Sequence, residues 1–276
     1  MKIDSHQHFW NYDPVRDSWI NDEMAVIRND FAPADVQPML RESGFDGCIA
    51  VQADQNETET AYLLRLSDEN DFIKGVVGWV EFRANNIAER LEYFYQFKKL
   101  KGFRHIVQSE QQIDYLLRED FCNGISGLEK FGFTYDILIY PKHLKYALEF
   151  VKRFPNQTFI LDHLAKPFIK DQLIDDWREH IKQFKVYENV SCKLAGLVTE
   201  AHWKRWNPKQ FQKYVDVVFD VFGPDRVMFG SDWPVCTLAA SFREVVEVVE
   251  HCTSFLNAEN KRKLWGENSI RIYKLT

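Results

Sequence analysis

The sequence predicts an α/β fold, namely a single-domain (β/α)8 TIM barrel that spans residues 1–276. Short apolar runs alternate with amphipathic stretches along the whole chain, which is typical of βα units around a parallel sheet. Eight such runs are present, and a length of 276 residues suits one barrel of about 250 residues. An open doubly wound sheet is the alternative, but no Gly-x-Gly-x-x-Gly pattern follows the first strand.

The predicted strands are short runs of apolar residues bounded by polar or turn-forming residues. They cover residues 2–8, 47–52, 73–80, 100–106, 133–140, 158–162, 190–194 and 227–229. Polar residues follow the apolar ones at the end of most of these runs. This order predicts strands that are buried along their length and carry polar side chains at their carboxyl ends.

The predicted helices lie between the strands. They cover residues 33–44, 57–70, 85–97, 114–131, 141–154, 171–184, 208–222, 241–252 and 258–265. Pro33 suits the first turn of its helix, and Gly44 suits a residue at a helix end. The pair Gly223-Pro224 closes the helix at residues 208–222.

Charge and cysteine content limit the classes of protein that fit this chain. The net charge is −6, from 35 Lys and Arg against 41 Asp and Glu, which disfavours a nucleic-acid partner. No apolar run is long enough for a membrane span or a signal peptide, so no membrane partner is expected. An odd number of cysteines without close pairs argues against disulfides, and we expect reduced thiols in a cytoplasmic protein. They are Cys48, Cys122, Cys192, Cys236 and Cys252.

Two histidines lie two residues apart in the first strand. Residues at this spacing point to the same side of a strand, so His6 and His8 would project together. Paired imidazoles suit a divalent metal or the donation of two hydrogen bonds to one oxygen atom. The pattern is also compatible with two surface histidines near a terminus, and residues elsewhere in the chain are needed to distinguish the two interpretations.

Polar groups follow most of the other predicted strands. Active sites of (β/α)8 barrels lie at the carboxyl ends of the strands, so these residues would share one mouth. They are Arg104 and His105, Asp136 and Tyr140, Asp162, His163 and Lys166, Ser191 and Lys193, and Ser231 and Asp232.

Each of these residues also has a structural interpretation. Arg104 could form a surface salt bridge, Asp232 could cap a helix, and His163 could be a hydrogen-bonded core residue. Arg104 and His105 are neighbours on one strand, so at most one of them points inward.

Three motifs resemble the amidohydrolase superfamily: His6-x-His8, Asp162-His163 and Gly230-Ser231-Asp232-Trp233-Pro234. The stretches at residues 102–105, 191–200 and 228–235 are similar to the lactonase branch of that superfamily. This branch includes L-fuconolactonases, L-rhamnonolactonases and 2-pyrone-4,6-dicarboxylate lactonase. The resemblance extends over essentially the whole chain.

The resemblance also bears on metal binding. Binuclear members of the superfamily use a bridging lysine from strand four and a histidine from strand five. Neither occurs at the matching strands here, so a two-metal centre is not expected. The remaining ligand candidates for a single zinc ion are His6, His8, His163 and Asp232. The branch includes members that work without a metal, so either no obligatory cofactor or one divalent metal is expected.

The resemblance implies a hydrolase that opens a sugar-derived lactone, such as L-fucono- or L-rhamnonolactone. Asp232 would be the general base for water, and His6, His8 and His163 would stabilise the oxyanion. The residues expected to bind the substrate are Arg104, Lys193, Trp10 and His105.

Two other functions stay open. The first is a zinc-dependent decarboxylase of a related branch, which would hold its metal tightly and release carbon dioxide. The second is a non-catalytic barrel that binds a sugar acid. The cluster of titratable groups argues against the second, since a binding protein gains little from them. The sequence carries no signal for an oligomeric state.

Overall fold

Eight parallel strands form one sheet in the computed structural model, which describes residues 1–276. They are β1 (Ile3–Gln7), β2 (Gly47–Val51), β3 (Ile73–Gly78), β4 (Leu100–His105), β5 (Thr134–Ile137), β6 (Phe159–Leu161), β7 (Val190–Leu194) and β8 (Val227–Phe229). Each strand pairs with the next one in the chain, from β1 to β8. The predicted (β/α)8 barrel is therefore confirmed.

The first and last strands meet at their ends and close the barrel. The Ser5 hydroxyl donates a hydrogen bond to the carbonyl of Phe229 at 2.5 Å, and Gln7 pairs with Trp233 beyond the end of β8. The carboxylate of Asp4 accepts the backbone N–H of Ser231 at 2.8 Å and its hydroxyl at 2.5 Å. These contacts join two segments that lie at opposite ends of the chain.

Helices surround the barrel. They are α1 (Pro33–Glu42), α2 (Glu57–Glu69), α3 (Ile87–Tyr95), α4 (Glu119–Ile125), α5 (Leu128–Phe131), α6 (Leu144–Arg153), α7 (Asp175–Ile181), α8 (Lys209–Phe222), α9 (Phe242–Cys252), α10 (Ala258–Arg262) and α11 (Asn268–Ile272). No helix combines the length and the apolar character that a membrane crossing requires.

Several predicted helices are shorter or broken in the structure, and two of them differ most. The segment at 114–131 contains a single 3-10 turn and the short helices α4 and α5, because Gly124 and Gly127 weaken a continuous helix. The segment at 171–184 begins its helix only at Asp175 and continues after Ile181 as a 3-10 turn. Neither difference affects a strand end.

Most of the hydrophobic core lies between the sheet and the helices. It contains many aromatic side chains, including Phe82, Phe103, Phe121 and Phe150, all of them fully or almost fully buried. A smaller apolar cluster, which includes buried residues near the end of the chain, fills the lower part of the barrel interior, beneath the polar residues. All five cysteines are buried free thiols, as the sequence predicts. The upper end of the barrel is thereby left to polar residues.

Replacement of Ser231 by alanine should lower stability, because it leaves a buried oxygen of Asp4 without its hydroxyl donor. The same hydroxyl accepts the backbone N–H of Trp233 at 3.0 Å. We expect a loss of about 1–3 kcal/mol in the free energy of unfolding, measured by urea denaturation. Ser126→Ala is the control, since Ser126 is exposed and should change stability by less than about 0.5 kcal/mol. An unchanged unfolding midpoint in the Ser231 variant would contradict this account of barrel closure.

Candidate active site

Three imidazoles and one carboxylate converge at the carboxyl ends of β1, β6 and β8. Nε2 of His6 lies 3.2 Å from Nε2 of His8. Oδ1 of Asp232 lies 3.4 Å from Nε2 of His8, 3.8 Å from Nε2 of His6 and 4.0 Å from Nε2 of His163. All four side chains are buried. The structure therefore brings together the residues that the sequence predicts as catalytic.

Backbone hydrogen bonds hold two sides of this cluster in register. The N–H of Asp232 donates to the carbonyl of His6 at 2.8 Å, and the N–H of His8 donates to the carbonyl of Trp233 at 2.7 Å. Asp232 itself has a φ of 60°, a left-handed conformation that costs energy for a residue other than glycine. This combination fixes where the carboxylate points relative to the two histidines.

A left-handed turn presents His163 to the cluster. His163, Leu164, Ala165 and Lys166 all have φ between 51° and 57°, although none is glycine. Each left-handed residue costs about 1–2 kcal/mol, so tertiary contacts have to hold the turn. The indole of Trp177 donates to the carbonyl of Leu164 at 2.7 Å. The sequence pattern gives no indication of this turn.

Gly196 provides the space that the His163 ring occupies. A Cβ atom at position 196 would lie 2.9 Å from Nδ1 of His163, which is too close for any side chain. The φ of Gly196 is +69°, a region that also favours glycine. The position of His163 therefore depends on a glycine in the loop after β7.

The ring of His8 has a defined tautomer. Its Nδ1 lies 2.8 Å from the carbonyl of Val51, which can only accept, so Nδ1 carries the hydrogen. The lone pair of Nε2 then points towards Nε2 of His6 and Oδ1 of Asp232. Three atoms with lone pairs thus face one small space, which is the arrangement that a metal cation requires.

Burial controls the protonation of the histidines. It lowers the pKa of the His163 ring to about 4, although the charges of Asp232 and Asp162 act in the opposite direction. It also lowers the pKa of His6 well below the ordinary value. Both rings are therefore neutral near pH 7 and can serve as ligands or as hydrogen-bond donors.

The carboxylate of Asp232 is ionised. Burial acts to raise its pKa, but the neighbouring His163, His8 and His6 together outweigh burial, and the net pKa lies well below the ordinary carboxyl value. A deprotonated carboxylate beside neutral imidazoles can accept a proton or bind a cation.

A layer of four charged side chains lies beneath His6 inside the barrel. Arg104 Nη1 pairs with Asp162 Oδ2 at 3.0 Å, and Lys193 Nζ pairs with Asp136 Oδ2 at 2.5 Å and Asp162 Oδ1 at 3.1 Å. Arg104 Nη1 also lies 3.3 Å from Nε2 of His6. Arg104 thus borders the cluster, whereas Lys193 is fully buried below it. This depth does not favour the predicted contact between Lys193 and a substrate.

His105 faces away from the cluster, so its position does not support the predicted role in substrate binding. Alternation along β4 turns Arg104 inward and its neighbour outward. The His105 ring stacks on Tyr115 at 4.8 Å between centroids, accepts the indole N–H of Trp79 at 3.2 Å, and lies 2.7 Å from Glu110. These contacts give His105 a structural role between the sheet and its surrounding loops.

Trp10 forms part of the wall beside His8. The centroids of the two rings are 6.2 Å apart, and the Trp10 indole donates to the carbonyl of Asn29 at 2.9 Å. Trp233 is buried against Phe9 and Phe31 instead. Of these two tryptophans, Trp10 is therefore the one that contacts the neighbourhood of the histidines.

A charged pair at the mouth has no assigned role from the sequence. Lys166 Nζ lies 3.5 Å from Oε1 of Glu200 and 5.6 Å from the ring centroid of Tyr140. Burial raises the pKa of Glu200, and the charge of Asp232 adds to that rise. Both side chains stay partly exposed, at 18% for Lys166 and 24% for Glu200. The sequence already places Lys166 at the mouth by its position after strand six, and the position of Glu200 after strand seven is the signal that could have identified its partner.

Comparisons with known proteins agree with this geometry. The chain matches the amidohydrolase family over residues 3–275. An L-fucono-1,5-lactonase of Burkholderia multivorans is 38% identical, with 100% of this chain and 96% of the relative covered. An L-fucono-1,5-lactonase of Burkholderia ambifaria is 30% identical over 100% of this chain and 96% of the relative.

A solved structure supports the same family assignment. The crystal structure of an amidohydrolase from Burkholderia multivorans with bound Zn superposes with a TM-score of 0.97, at 37% identity and with 100% of both chains covered. The sequence match alone covers nearly every residue from β1 to the segment after α11. The protein belongs to the amidohydrolase family.

Proposed function

We propose that this protein is a lactonase that opens a sugar-derived aldonolactone, with L-fuconolactone or a related deoxy-sugar lactone as its substrate. The observation that carries the proposal is the convergence of Asp232 with His6, His8 and His163 at one barrel mouth. The two relatives named as L-fucono-1,5-lactonases support the choice of substrate class.

Asp232 would act as the general base. Its carboxylate takes a proton from water while the water oxygen bonds to the lactone carbonyl carbon. The bond from that carbon to the ring oxygen then breaks, and the proton passes from Asp232 to the leaving ring oxygen. The products are one hydroxyl group and one carboxylic acid, which ionises at neutral pH.

Negative charge develops on the carbonyl oxygen during the attack of water. Arg104 is a fixed cation that borders the cluster, with Nη1 3.3 Å from Nε2 of His6. The neutral His163 ring can donate one hydrogen bond to the same oxygen. These donors are held in place by Asp162 and by the left-handed turn, so they need little reorganisation when the charge appears.

The cluster fits one zinc ion. His6 Nε2, His8 Nε2 and Asp232 Oδ1 would bind it, and His163 lies close enough to be a fourth ligand. When bound, the ion would lower the pKa of a water molecule and polarise the lactone carbonyl. The fixed tautomer of His8 is the feature that favours this ligand set.

The substrate hydroxyls would contact the Lys166–Glu200 pair and the Trp10 wall. A partly exposed ammonium and a carboxylate offer donors and acceptors to a polyol, and an indole offers an apolar face to a sugar ring. The cytoplasmic location that the reduced cysteines suggest stays a prediction.

A screen of aldonolactones with a pH indicator tests the activity, because ring opening releases an acid. Asp232→Asn should lower kcat by about a thousandfold, since general-base catalysis contributes about 100- to 10,000-fold. Circular dichroism should show an intact fold. Asp176→Asn is the matched control, because Asp176 is exposed and far along the chain from the strand ends. Failure of the wild-type protein to open any aldonolactone would refute the proposal, and full activity in Asp232→Asn would refute the role of the base.

Metal analysis tests the zinc site, and an assay for carbon dioxide separates the lactonase from a decarboxylase. We expect about one zinc ion per chain after dialysis against zinc, because His6, His8 and Asp232 converge on a single site. His8→Ala should lose the zinc, whereas His251→Ala should keep it, since His251 is exposed. No carbon dioxide should be released from aromatic acids. Two zinc ions per chain, or none, would contradict the proposed ligand set.

Lys166→Met tests substrate recognition at the mouth. We expect KM for a polyhydroxylated aldonolactone to rise about tenfold, the loss expected for one hydrogen bond to a charged group. KM for unsubstituted δ-valerolactone should stay unchanged, because that substrate has no hydroxyl to contact. Lys170→Met is the control, since Lys170 is exposed on the same loop. Equal rises for both lactones would indicate a disturbed loop instead of a lost contact.

A further inference from the structure

The last residues of the chain enter the barrel from below. After α11, the side chains of Tyr273 and Leu275 are buried together with Ile272. They pack against residues that point into the lower barrel: Ile3, Ile49, Val51, Val77, Ile160 and Met228. Gly75 provides room, because a Cβ atom there would lie 3.1 Å from Cδ2 of Leu275. The carboxyl-terminal segment therefore forms the floor of the barrel interior.

The hydroxyl of Tyr273 reaches the charged layer above this floor. It donates to Oδ2 of Asp136 at 2.8 Å, and Lys193 Nζ donates to the same oxygen at 2.5 Å. The ring of Tyr273 also lies below Lys193, with 5.4 Å between Nζ and the ring centroid. All three side chains are buried, so each depends on the others for polar partners.

Lys193 connects this contact to the histidine cluster. Its ammonium group pairs with two carboxylates, at 2.5 Å from Oδ2 of Asp136 and 3.1 Å from Oδ1 of Asp162. Nδ1 of His6 lies 3.4 Å from the same Oδ1 of Asp162, and a hydrogen on Nδ1 leaves the lone pair of Nε2 to face the cluster. A shift of Lys193 would therefore move Asp162 and change the support of the His6 ring.

We propose that Tyr273 is a positioning residue for the reaction at the mouth, acting through Asp136 and Lys193 on His6. The Tyr273 hydroxyl donates a hydrogen bond that stabilises the negative charge of Asp136. Without it, Lys193 is the only donor to Asp136, so the carboxylate can rotate, and the ammonium paired with it shifts relative to Asp162. The His6 ring then loses a contact that holds it in the plane needed to face His8 and Asp232. The proposal rests on the proposed lactonase activity for its kinetic test, but not for its metal-binding test.

Tyr273→Phe is the decisive variant, because it keeps the ring in the floor and removes only the hydroxyl. We expect kcat on an aldonolactone to fall about tenfold with KM unchanged, and zinc affinity to fall about tenfold in a chelator competition. Tyr135→Phe is the matched control. Tyr135 lies next to Asp136 on β5, is fully buried, and its hydroxyl has no hydrogen-bond partner in the protein. This control should leave kcat and zinc affinity unchanged.

Two further variants separate positioning from simple packing. Leu275→Ala removes packing from the floor and should lower the Tm while kcat stays the same. In an Asp136→Asn background, Tyr273→Phe should cause no further loss of kcat, since both changes interrupt one path. Wild-type kcat and zinc affinity in Tyr273→Phe would overturn the proposal, as would an equal kcat loss in Leu275→Ala. If the wild-type protein opens no lactone, the proposed function fails, and the zinc competition alone decides on Tyr273.

Discussion

The seam between the first strand and the segment after the last strand is the constraint on which the site depends. Two backbone hydrogen bonds cross it, from the N–H of Asp232 to the carbonyl of His6 and from the N–H of His8 to the carbonyl of Trp233. Backbone hydrogen bonds have narrow geometry, so they fix the spacing of the side chains beside them. The turn that carries His163 and the layer below His6 are both arranged around this seam.

The interior of the barrel has an apolar lower part and a charged upper part. Barrel interiors are usually filled by branched apolar side chains, and the lower part here follows that rule. The upper part holds two cations, Arg104 and Lys193, and two carboxylates, Asp136 and Asp162, whose charges balance. Burying ions costs several kcal/mol each unless they are paired, so such a layer is weak evidence for stability. It is better explained as a rigid support for His6.

Much of the fold and part of the site could be predicted from the sequence. Strand-forming runs with polar ends identify all eight strands, and the barrel brings His6, His8, His163 and Asp232 to one mouth. The rest depends on tertiary contacts. Four consecutive left-handed residues contradict local preference, so no pattern predicts the turn at residues 163–166. Tyr273 lies in the turn after α11, outside every predicted helix and strand, and only the packed structure reveals its contact with Asp136.

The closure of the barrel also determines when the site can form during synthesis. Asp4 and Ser231, which bond to each other, are 227 residues apart in the chain. At a translation rate of about 5–20 residues per second, the first strand leaves the ribosome roughly 10–50 s before its partner exists. During that interval the nascent chain carries His6 and His8 on an unpaired strand edge. Such an edge is open to pairing with other chains, so chaperone protection is most valuable at this stage.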